Sequence, residues 1–309
     1  MKPAKEAPPG PRLRIGVDLG GTKIEAAVID DYGRFIARER QATPTTDYHG
    51  ICAAIVAMVT SLEARHGHGL PVGIGMPGAI SPASGLVKNA NTTCLNGRPF
   101  ERDIAAALGR DVRLANDANC LLLSECRGGA ADGAQSAFGV ILGTGTGGAL
   151  FVGGDVVTGA NAIAGEWGHN RVPWNVASGV GRACYCGRFD CVETFLSGSG
   201  LERSYRDGGG VAVRDGVPGI VERAVHGELA AATTLAAYAD SVARCLAQVV
   251  NVFDPEIVVL AGGLSNLPAL APQVEAGLIR HVFSDSIVTR VVLAAFGDSS
   301  GVRGAAYLW

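Results

Sequence analysis

Apolar and polar positions follow one another in blocks that predict strands joined by glycine turns. Residues 12–19 (RLRIGVDL) form an apolar run, the turn GGTK comes next, and a second apolar run extends from Ile24 to Ile29. Residues 136–142 (SAFGVIL) open a similar succession, in which the turn GTGTGG leads into the run ALFV. Each half of the chain therefore contains a predicted strand, a glycine turn and a second predicted strand.

These two blocks align with each other at a fixed offset along the chain. Gly16 then matches Gly139, and Leu19 matches Leu142, so that the two glycine turns begin at equivalent positions. Glycine-rich stretches also match by coincidence, and this alternative stays open. We favour a duplicated α/β unit with a ligand bound between the halves, because the rest of the chain agrees with it.

Helical periodicity and further apolar runs fill the intervals between the blocks. Asp254-Pro255 should end the longest helix, because proline disfavours helical backbone at the residue before it. Strands that alternate with helices indicate a mainly parallel sheet in each half. The predicted helices cover 51–66, 118–127, 228–252 and 301–308, and the further strands cover 112–116, 256–261 and 290–295.

The length of the chain, 309 residues, exceeds the usual size of one domain. We therefore expect two α/β domains with a ligand-binding cleft between them. The N-terminal domain would cover residues 1–117 and the C-terminal domain residues 118–297. The last helix, at about 298–309, would pack back on the first domain.

Composition and charge narrow the class of protein. Hydrophobic residues make up 48% of the chain and charged residues 18%, which is typical of a globular protein. A formal net charge of −3, without a run of Lys and Arg, does not favour nucleic acid or an acidic membrane as partner. The polar stretch from Met1 to Arg14 lacks the apolar segment of a signal peptide. Five of the eight cysteines are scattered, so we expect a reducing, cytoplasmic location.

The two glycine turns are candidate phosphate-binding loops. Turns rich in glycine let backbone N–H groups converge on an anion without interference from Cβ atoms. Neither turn is a Walker A loop, and a tight hairpin is the alternative for either turn alone. Two such turns at matched places in a repeat indicate a nucleotide. The expected contacts are Gly20, Gly21, Thr22 and Lys23 in loop 1 and Gly143, Thr144, Gly145 and Thr146 in loop 2.

Loop 1 carries a carboxylate that loop 2 lacks. Asp18 falls opposite Ile141 when the two blocks are aligned. A carboxylate that only shaped the turn would serve either copy equally well. One carboxylate near the phosphates suffices to hold the magnesium ion of a nucleotide, since Mg²⁺ usually keeps several of its waters. We therefore predict Asp18 as the magnesium ligand.

A candidate acceptor site lies in the segment Leu114-Ala-Asn-Asp-Ala-Asn119, where a buried strand meets a helix. Asn116 or Asp117 could cap that helix, which is a common use of these residues. Capping explains one of them but not both. Ligands bind at strand carboxyl ends in α/β sheets, so Asp117 could accept the proton of an attacking hydroxyl while Asn116 binds a neighbouring hydroxyl.

A cysteine cluster indicates a metal. Cys184, Cys186 and Cys191 place three thiols within eight residues, and His169 upstream can complete a Cys₃His set. Closed four-ligand sites of this type are structural zinc sites. A disulfide between two of the cysteines is the alternative, which a reducing compartment and the short spacing disfavour.

Two carboxylates lie beside the predicted zinc ligands. Glu166 comes three residues before His169, and Glu193 comes two residues after Cys191. A surface glutamate is usually only solvated. Zinc would hold both segments in place, however, so we expect these two carboxylates to accept hydrogen bonds from sugar hydroxyls.

Taken together, these motifs resemble those of the ROK sugar kinases, a family within the actin/hexokinase-like superfamily with its duplicated ribonuclease H-like fold. The resemblance covers almost the whole chain. It is carried by DLGGTK (18–23), GMPG (75–78), LANDAN (114–119), GTGTGG (143–148), EWGH (166–169) and CYCGRFDCVE (184–193).

The resemblance implies a magnesium- and ATP-dependent transfer to a hexose hydroxyl, usually the 6-hydroxyl, with Asp117 as general base. It implies that Gly262-Gly263 form the turn near the adenosine and that His169 also touches the sugar. The implied sugar contacts are Gly78, Asn91, Asn116, Glu166, His169 and Glu193, and the implied zinc ligands are His169, Cys184, Cys186 and Cys191.

One position departs from the family pattern. Asp190 stands where the family motif CxCGxxGCxE has a glycine. If that position needs a positive φ, aspartate tolerates it better than most residues do. We therefore expect a small cost in stability and an intact zinc site.

Within the family, the segments 80–100, 193–200 and 297–306 resemble bacterial fructokinases and mannokinases. Fructose, or mannose, is therefore the predicted acceptor, with a glucokinase or an N-acetylglucosamine kinase as the alternatives.

The family also contains sugar-responsive repressors, but loop 1 begins at Asp18, which leaves no room before it for a helix-turn-helix. A non-catalytic sugar-binding protein is disfavoured, because Asp18, Lys23 and Asp117 are all present. Hexose and ATP are the expected partners, nucleic acid and membrane are not, and a homodimer is the expected assembly.

Overall fold

The computed structural model describes residues 12–174 and 181–309 of the chain. These residues form two compact units. The first unit comprises the described residues up to Ser124 together with Ser299–Trp309, and the second comprises Glu125–Asp298. The compact units divide the chain after Ser124, inside a helix, and after Asp298, just before the last helix. The domain bounds predicted from the sequence, residues 1–117 and 118–297, stay a proposal.

The first unit is built on a five-stranded sheet with the strand order β3-β2-β1-β4-β7. β1 pairs antiparallel with β2 and parallel with β4, and β4 pairs parallel with β7. A two-stranded ribbon, β5 and β6, follows β4 in the chain. The strands are β1 Arg14–Leu19, β2 Lys23–Ile29, β3 Phe35–Ala42, β4 Val72–Met76, β5 Ala79–Ile80, β6 Val87–Lys88 and β7 Arg113–Asn116.

Four helices complete this unit: α1 Tyr48–His66, α2 Phe100–Leu108, α3 Asp117–Cys126 and, at the C-terminus, α9 Ser300–Ala306. α1 packs on β2 and on α2, and α9 packs on β1, β2 and β4. The main core lies between the sheet and α1, where residues such as Ile15, Val17, Ile51 and Ile55 are fully buried.

The second unit has its own five-stranded sheet, with the order β10-β9-β8-β11-β12. Its core fills the space between this sheet and the long helix α7. Asp254, in the left-handed conformation, ends α7 directly before Pro255, as the sequence predicted. The elements are β8 Ser136–Leu142, β9 Thr146–Val152, β10 Asp155–Val156, α4 Glu193–Leu196, α5 Gly198–Asp207, α6 Val217–Val225, α7 Leu229–Phe253, β11 Ile257–Ala261, α8 Leu270–Leu278 and β12 Arg290–Leu293.

The two sheets are copies of one topology. In each, the first strand pairs antiparallel with the second and parallel with the strand that follows the first helical region. The register differs by one residue between the two repeats: Gly16 lies opposite Ala27, whereas Gly139 lies opposite Ala149 rather than Leu150, because the turn before β9 is one residue shorter. The prediction of a duplicated actin/hexokinase-like α/β fold is confirmed.

Within the described ranges 12–174 and 181–309, no helix combines the length and the apolar character that a membrane crossing requires.

Candidate nucleotide and sugar sites

Three of the sequence motifs lie at one edge of the first sheet. β1, β4 and β7 run parallel, so that their carboxyl ends reach the same edge, with Asp18 opposite Gly75 and Met76 opposite Asn116. DLGGTK, GMPG and LANDAN therefore lie side by side although they are far apart in sequence. Ligands bind at such edges of α/β sheets.

Loop 1 connects β1 to β2 as a tight, accessible turn. The Gly20 N–H donates to the carbonyl of Lys23 at 3.0 Å, and the Thr43 hydroxyl donates to the carbonyl of Gly20 at 2.8 Å. Gly21 and Thr22 are exposed at its tip, while Gly20 and Lys23 are half-buried. The residues predicted to bind phosphate are thus held in place from one side and open to solvent on the other.

Asp18 lies half-buried at the end of β1, and its carboxylate is packed against Gly301 at the start of α9. Burial raises the pKa of the neighbouring Cys120 thiol, and the carboxylates of Asp18 and Asp117 raise it further. Both acids are therefore close to the same buried thiol, which stays protonated. A single, partly accessible carboxylate fits a magnesium ion that keeps most of its waters.

Gly78 and Asn116 meet in the acceptor region of this unit. Gly78 has a φ of +76°, and a Cβ at this position would lie 2.3 Å from the carbonyl oxygen of Lys88, so only glycine fits. The Asn116 side-chain amide donates to the Gly78 carbonyl at 3.1 Å. Asn96 binds the backbone N–H and carbonyl of Ala90 with its side chain, which positions the exposed Asn91 that follows.

Asp117 is the exposed first residue of α3. Its carboxylate accepts a hydrogen bond from the Ala118 N–H at 2.9 Å, and the Asn116 side-chain oxygen accepts from the same N–H at 2.8 Å. Both residues thus take part in capping the helix. The sequence offered capping and substrate chemistry as alternatives, but one role does not exclude the other. Capping orients the carboxylate, and its exposure leaves it accessible to an incoming hydroxyl.

Loop 2 connects β8 to β9 in the second unit and is held by Glu193. The Glu193 carboxylate accepts a hydrogen bond from the Thr146 N–H at 2.9 Å, and its oxygen would lie 2.7 Å from a Cβ added at Gly145. The Trp167 indole of the EWGH motif donates to the Gly147 carbonyl at 2.8 Å. The structure therefore brings together loop 2, EWGH and Glu193, a contact that the sequence did not predict.

The predicted nucleotide contacts of loop 2 differ in accessibility. Thr144 is exposed and lines a pocket, whereas Thr146 is buried and its hydroxyl oxygen has no hydrogen-bond partner among the described residues. The side chain of Thr146 thus lies away from the accessible surface of the loop.

A pocket of about 880 Å³ opens beside loop 2, entirely within the second unit. Its volume is within the usual range for small-molecule sites. Gly263 lines it, and Gly262 lies against the end of β8, where a Cβ would be 2.4 Å from the Leu142 carbonyl oxygen. The pocket is lined by Gly143, Thr144, Gly198, Ser199, Glu202, Val217, Pro218, Val221, Gly263, Leu264, Asn266, Leu267 and Pro268.

The sequence did not predict most of these lining residues. Val217 and Val221 come from α6, Glu202 comes from α5, and Leu267 follows the short 3-10 turn Gly263–Asn266. The lining residues that the sequence did predict, Gly143, Thr144 and Gly263, come from two glycine turns. The apolar wall is typical of a surface for a flat base, and the glycines near loop 2 are typical of a phosphate end.

The cysteine cluster assembles as predicted. One ligand atom from each of His169, Cys184, Cys186 and Cys191 lies within 4.8 Å of all the others. The Cys184 sulfur is 3.6 Å from the His169 Nδ1, and the Cys186 and Cys191 sulfurs are 3.6 Å apart. Tetrahedral zinc with bonds of about 2.3 Å separates its ligands by roughly 3.8 Å. The donor set and its spacing therefore fit structural zinc.

The disulfide alternative is not realised, since all eight cysteines are free thiols in the structure. Burial raises the pKa of Cys191 to about 12 when no cation is bound, and the neighbouring thiols contribute to the shift. The other ring nitrogen of His169, Nε2, lies 3.0 Å from the hydroxyl of the exposed Tyr185. Glu166, three residues before His169, is exposed.

Asp190 adopts a positive φ, of 59°, which is the condition under which aspartate is better tolerated than most residues in place of the family glycine. The side chain is buried, and it also makes contacts that glycine cannot make. Its carboxylate accepts a hydrogen bond from the Arg182 N–H at 2.8 Å and lies 3.4 Å from the Arg171 guanidinium.

Replacing Asp190 by Ala should lower the free energy of unfolding by about 1–3 kcal/mol, because the buried Arg182 N–H then loses its acceptor while the strained φ remains. Asp190→Asn should cost less, since the amide oxygen can still accept and asparagine tolerates a positive φ. Urea unfolding at constant zinc content measures both. Equal losses in the two variants would show that the carboxylate contact is unimportant.

Comparison with known proteins places the chain in a family. The model of the ROK family matches residues 14–309. An N-acetyl-D-glucosamine kinase of Escherichia coli is 37% identical over 301 residues, which cover 96% of this chain and 99% of that protein. The ROK hexokinase of Thermus thermophilus superimposes with a TM-score of 0.82 at 29% identity, over 96% of this chain and 98% of the other.

A ROK glucokinase of Streptomyces griseus, solved with glucose and AMPPNP, has a TM-score of 0.75 at 30% identity, over 96% of this chain and 98% of that one. These matches cover nearly the whole chain, as the sequence motifs do. They confirm the prediction that the chain is a sugar kinase. The chain belongs to the ROK family.

Proposed function

We propose that this protein phosphorylates N-acetyl-D-glucosamine, with ATP as donor and the 6-hydroxyl as acceptor. The observation that carries the choice of sugar is the 37% identity to an N-acetyl-D-glucosamine kinase over nearly the full length of both chains. The fructose and mannose prediction rested on three short segments, and no relative named above bears it out. N-acetylglucosamine was one of the alternatives considered from the sequence.

The chemistry follows from the residues at the first sheet edge. The oxygen of the 6-hydroxyl attacks the γ-phosphorus of ATP, a new O–P bond forms, and the bond between that phosphorus and the bridging oxygen of ADP breaks. The hydroxyl proton passes to the Asp117 carboxylate. A loose phosphoryl transition state needs an oriented acceptor more than a strong base, and an aspartate at a helix start supplies that orientation.

The other predicted residues would bind and orient the two substrates. In the first unit, Asn116 and the Gly78 turn would hold sugar hydroxyls, with Asn91 beside them. In the second unit, Glu166, His169 and Glu193 would contact the sugar. Loop 1 and loop 2 would hold the phosphates through backbone N–H groups, and the pocket beside loop 2 would take the adenosine.

Two metal ions are part of the proposal. Magnesium would be held near Asp18, where it would supply positive charge that offsets the charge of the phosphates. Zinc would be held by His169, Cys184, Cys186 and Cys191, and it would be structural, because these four donors would leave no position open for a substrate or water. The cytoplasmic location and the homodimer expected from the sequence stay predictions.

An ADP-release assay on purified protein tests the acceptor. We expect kcat/KM for N-acetylglucosamine to exceed that for glucose, mannose and fructose by about 10-fold or more, because a site that hydrogen-bonds the acetamido group is left with unpaired polar groups by the other sugars. A preference for fructose would instead support the first prediction from the sequence. Release of ADP with none of the four sugars would contradict the proposed kinase activity itself.

A further inference from the structure

A buried arginine connects the zinc loop to the nucleotide loop. Arg182 lies two residues before Cys184 and is only 7% exposed. A guanidinium carries five N–H donors and stays charged, so burying one requires acceptors around it. The acceptors of Arg182 come from a different part of the chain, residues 194–207.

Arg182 binds the segment on both sides of the α4–α5 junction. Its guanidinium donates to the carbonyls of Thr194 and Gly200 at 2.9 and 3.1 Å, to the hydroxyl of Ser204 at 3.1 Å and to the carboxylate of Asp207 at 3.0 Å. The charge also lies over the ring of Phe195, 4.1 Å from its centroid. Residues 193–200, which we call the α4–α5 elbow, are thereby held from within.

The elbow in turn holds both ends of loop 2. At one end, the Gly198 N–H donates to the Gly143 carbonyl at 2.8 Å. At the other end, the Thr146 N–H donates to the Glu193 carboxylate at 2.9 Å. Gly198 and Ser199 also line the pocket beside loop 2. A shift of the elbow therefore moves the loop and the pocket wall together.

The zinc loop holds Arg182 itself. Asp190 accepts from the Arg182 N–H, and the Asp190 N–H donates back to the Arg182 carbonyl at 2.8 Å. Thr194, whose carbonyl Arg182 binds, donates its own N–H and hydroxyl to the carbonyl of the zinc ligand Cys191. The contacts run without a gap from the zinc ligands through Arg182 and the elbow to loop 2.

We propose that Arg182 is a positioning residue for nucleotide binding: it transmits the order of the zinc loop to loop 2 through the α4–α5 elbow. Its role rests on the proposed nucleotide site but adds a function that none of the sequence motifs contains. The zinc loop then serves ATP binding as well as the stability of the second unit.

Calorimetric titration with a non-hydrolysable ATP analogue and Mg²⁺ tests the proposal on zinc-loaded protein. Arg182→Met keeps the length and apolar stem of the side chain but removes every donor. We expect it to weaken nucleotide binding by about 10- to 100-fold, because supporting residues of a site have effects of this size. Zinc content should stay at about one per chain. Arg182→Lys, which retains a charge and some donors, should fall between Arg182→Met and the unmodified protein.

Arg203→Met is the matched control. Arg203 is an exposed arginine on α5, the helix that carries Ser204 and Asp207, and it lies 3.9 Å from the same Asp207 carboxylate; that ion pair is its polar contact among the described residues. Its variant should bind the nucleotide within about twofold of the unmodified protein, as surface substitutions usually do. Arg182→Met with unchanged nucleotide affinity would overturn the proposal, whatever its melting temperature.

Hydrogen exchange on Arg182→Lys covers the case in which Arg182→Met does not fold. The amides of Gly143–Thr146 should exchange faster in Arg182→Lys, while those of β1 in the first unit keep their protection. Unchanged exchange in loop 2 would contradict the proposal. Failure of the unmodified protein to bind the analogue would count against the proposed function instead.

Discussion

Replacing Asp117 by Asn should abolish phosphoryl transfer while sugar binding survives. The amide keeps the size of the side chain and its oxygen can still accept from the Ala118 N–H, so the start of α3 should remain intact. What is lost is the acceptor for the hydroxyl proton. A general base contributes about 10²- to 10⁴-fold to a rate, so we expect kcat to fall by about 10³-fold or more.

Single-turnover kinetics with calorimetric titration of the sugar separates the two effects. The dissociation constant for the sugar should change by less than about fivefold, since Asn still offers hydrogen bonds. Asp111→Asn is the matched control, because Asp111 is an exposed aspartate of the same unit, just before β7. A kcat for Asp117→Asn above about a tenth of the unmodified value would exclude Asp117 as the base.

Much of the fold could be predicted because each repeat marks its strands with apolar runs and its turns with glycines. β1, β2, β8 and β9 are strands of this type, and in both repeats the first strand pairs antiparallel with the second. β3 gave a weaker signal. Its sequence, FIARERQA, carries three consecutive charged residues, Arg38, Glu39 and Arg40, as an exposed edge strand can.

The residues of the candidate site also differ in how well the sequence predicts them. Motifs such as LANDAN and the cysteine cluster are local, so that their chemistry is visible in a few consecutive residues. The pocket wall and Arg182 are not local. Glu202, Val221 and Leu267 come together only through the packing of α5, α6 and the turn after β11. Two of the four acceptors of the Arg182 guanidinium are backbone carbonyls, which leave no trace in the sequence, and the other two, Ser204 and Asp207, lie more than 20 residues away.

Replacing Cys186 by Ser should remove the zinc ion and destabilise the second unit. Zinc contributes folding free energy directly when its ligands come from segments that no large core holds together. Here the ligands join the EWGH turn to the loop before α4, and both segments contact loop 2 or its support. We therefore expect the zinc content to fall from about one per chain to near zero, and the free energy of unfolding to fall by several kcal/mol.

Cys94→Ser is the control, because the Cys94 thiol lies outside the cluster and donates to the Thr45 carbonyl, which a serine hydroxyl can also do. Elemental analysis and urea unfolding of the three proteins, each with and without a chelator, give the comparison. The chelator should lower the stability of the unmodified protein and of Cys94→Ser to that of Cys186→Ser, whose own stability it should leave unchanged. If Cys186→Ser kept a full zinc ion, the four-ligand site would be wrong; if the chelator left the unmodified protein unaffected after removing its metal, the metal would have no structural role. The thiol-to-hydroxyl change is common to Cys186→Ser and Cys94→Ser. If the chelated unmodified protein and Cys186→Ser lose the same stability, and Cys94→Ser without chelator keeps it, that stability comes from the metal.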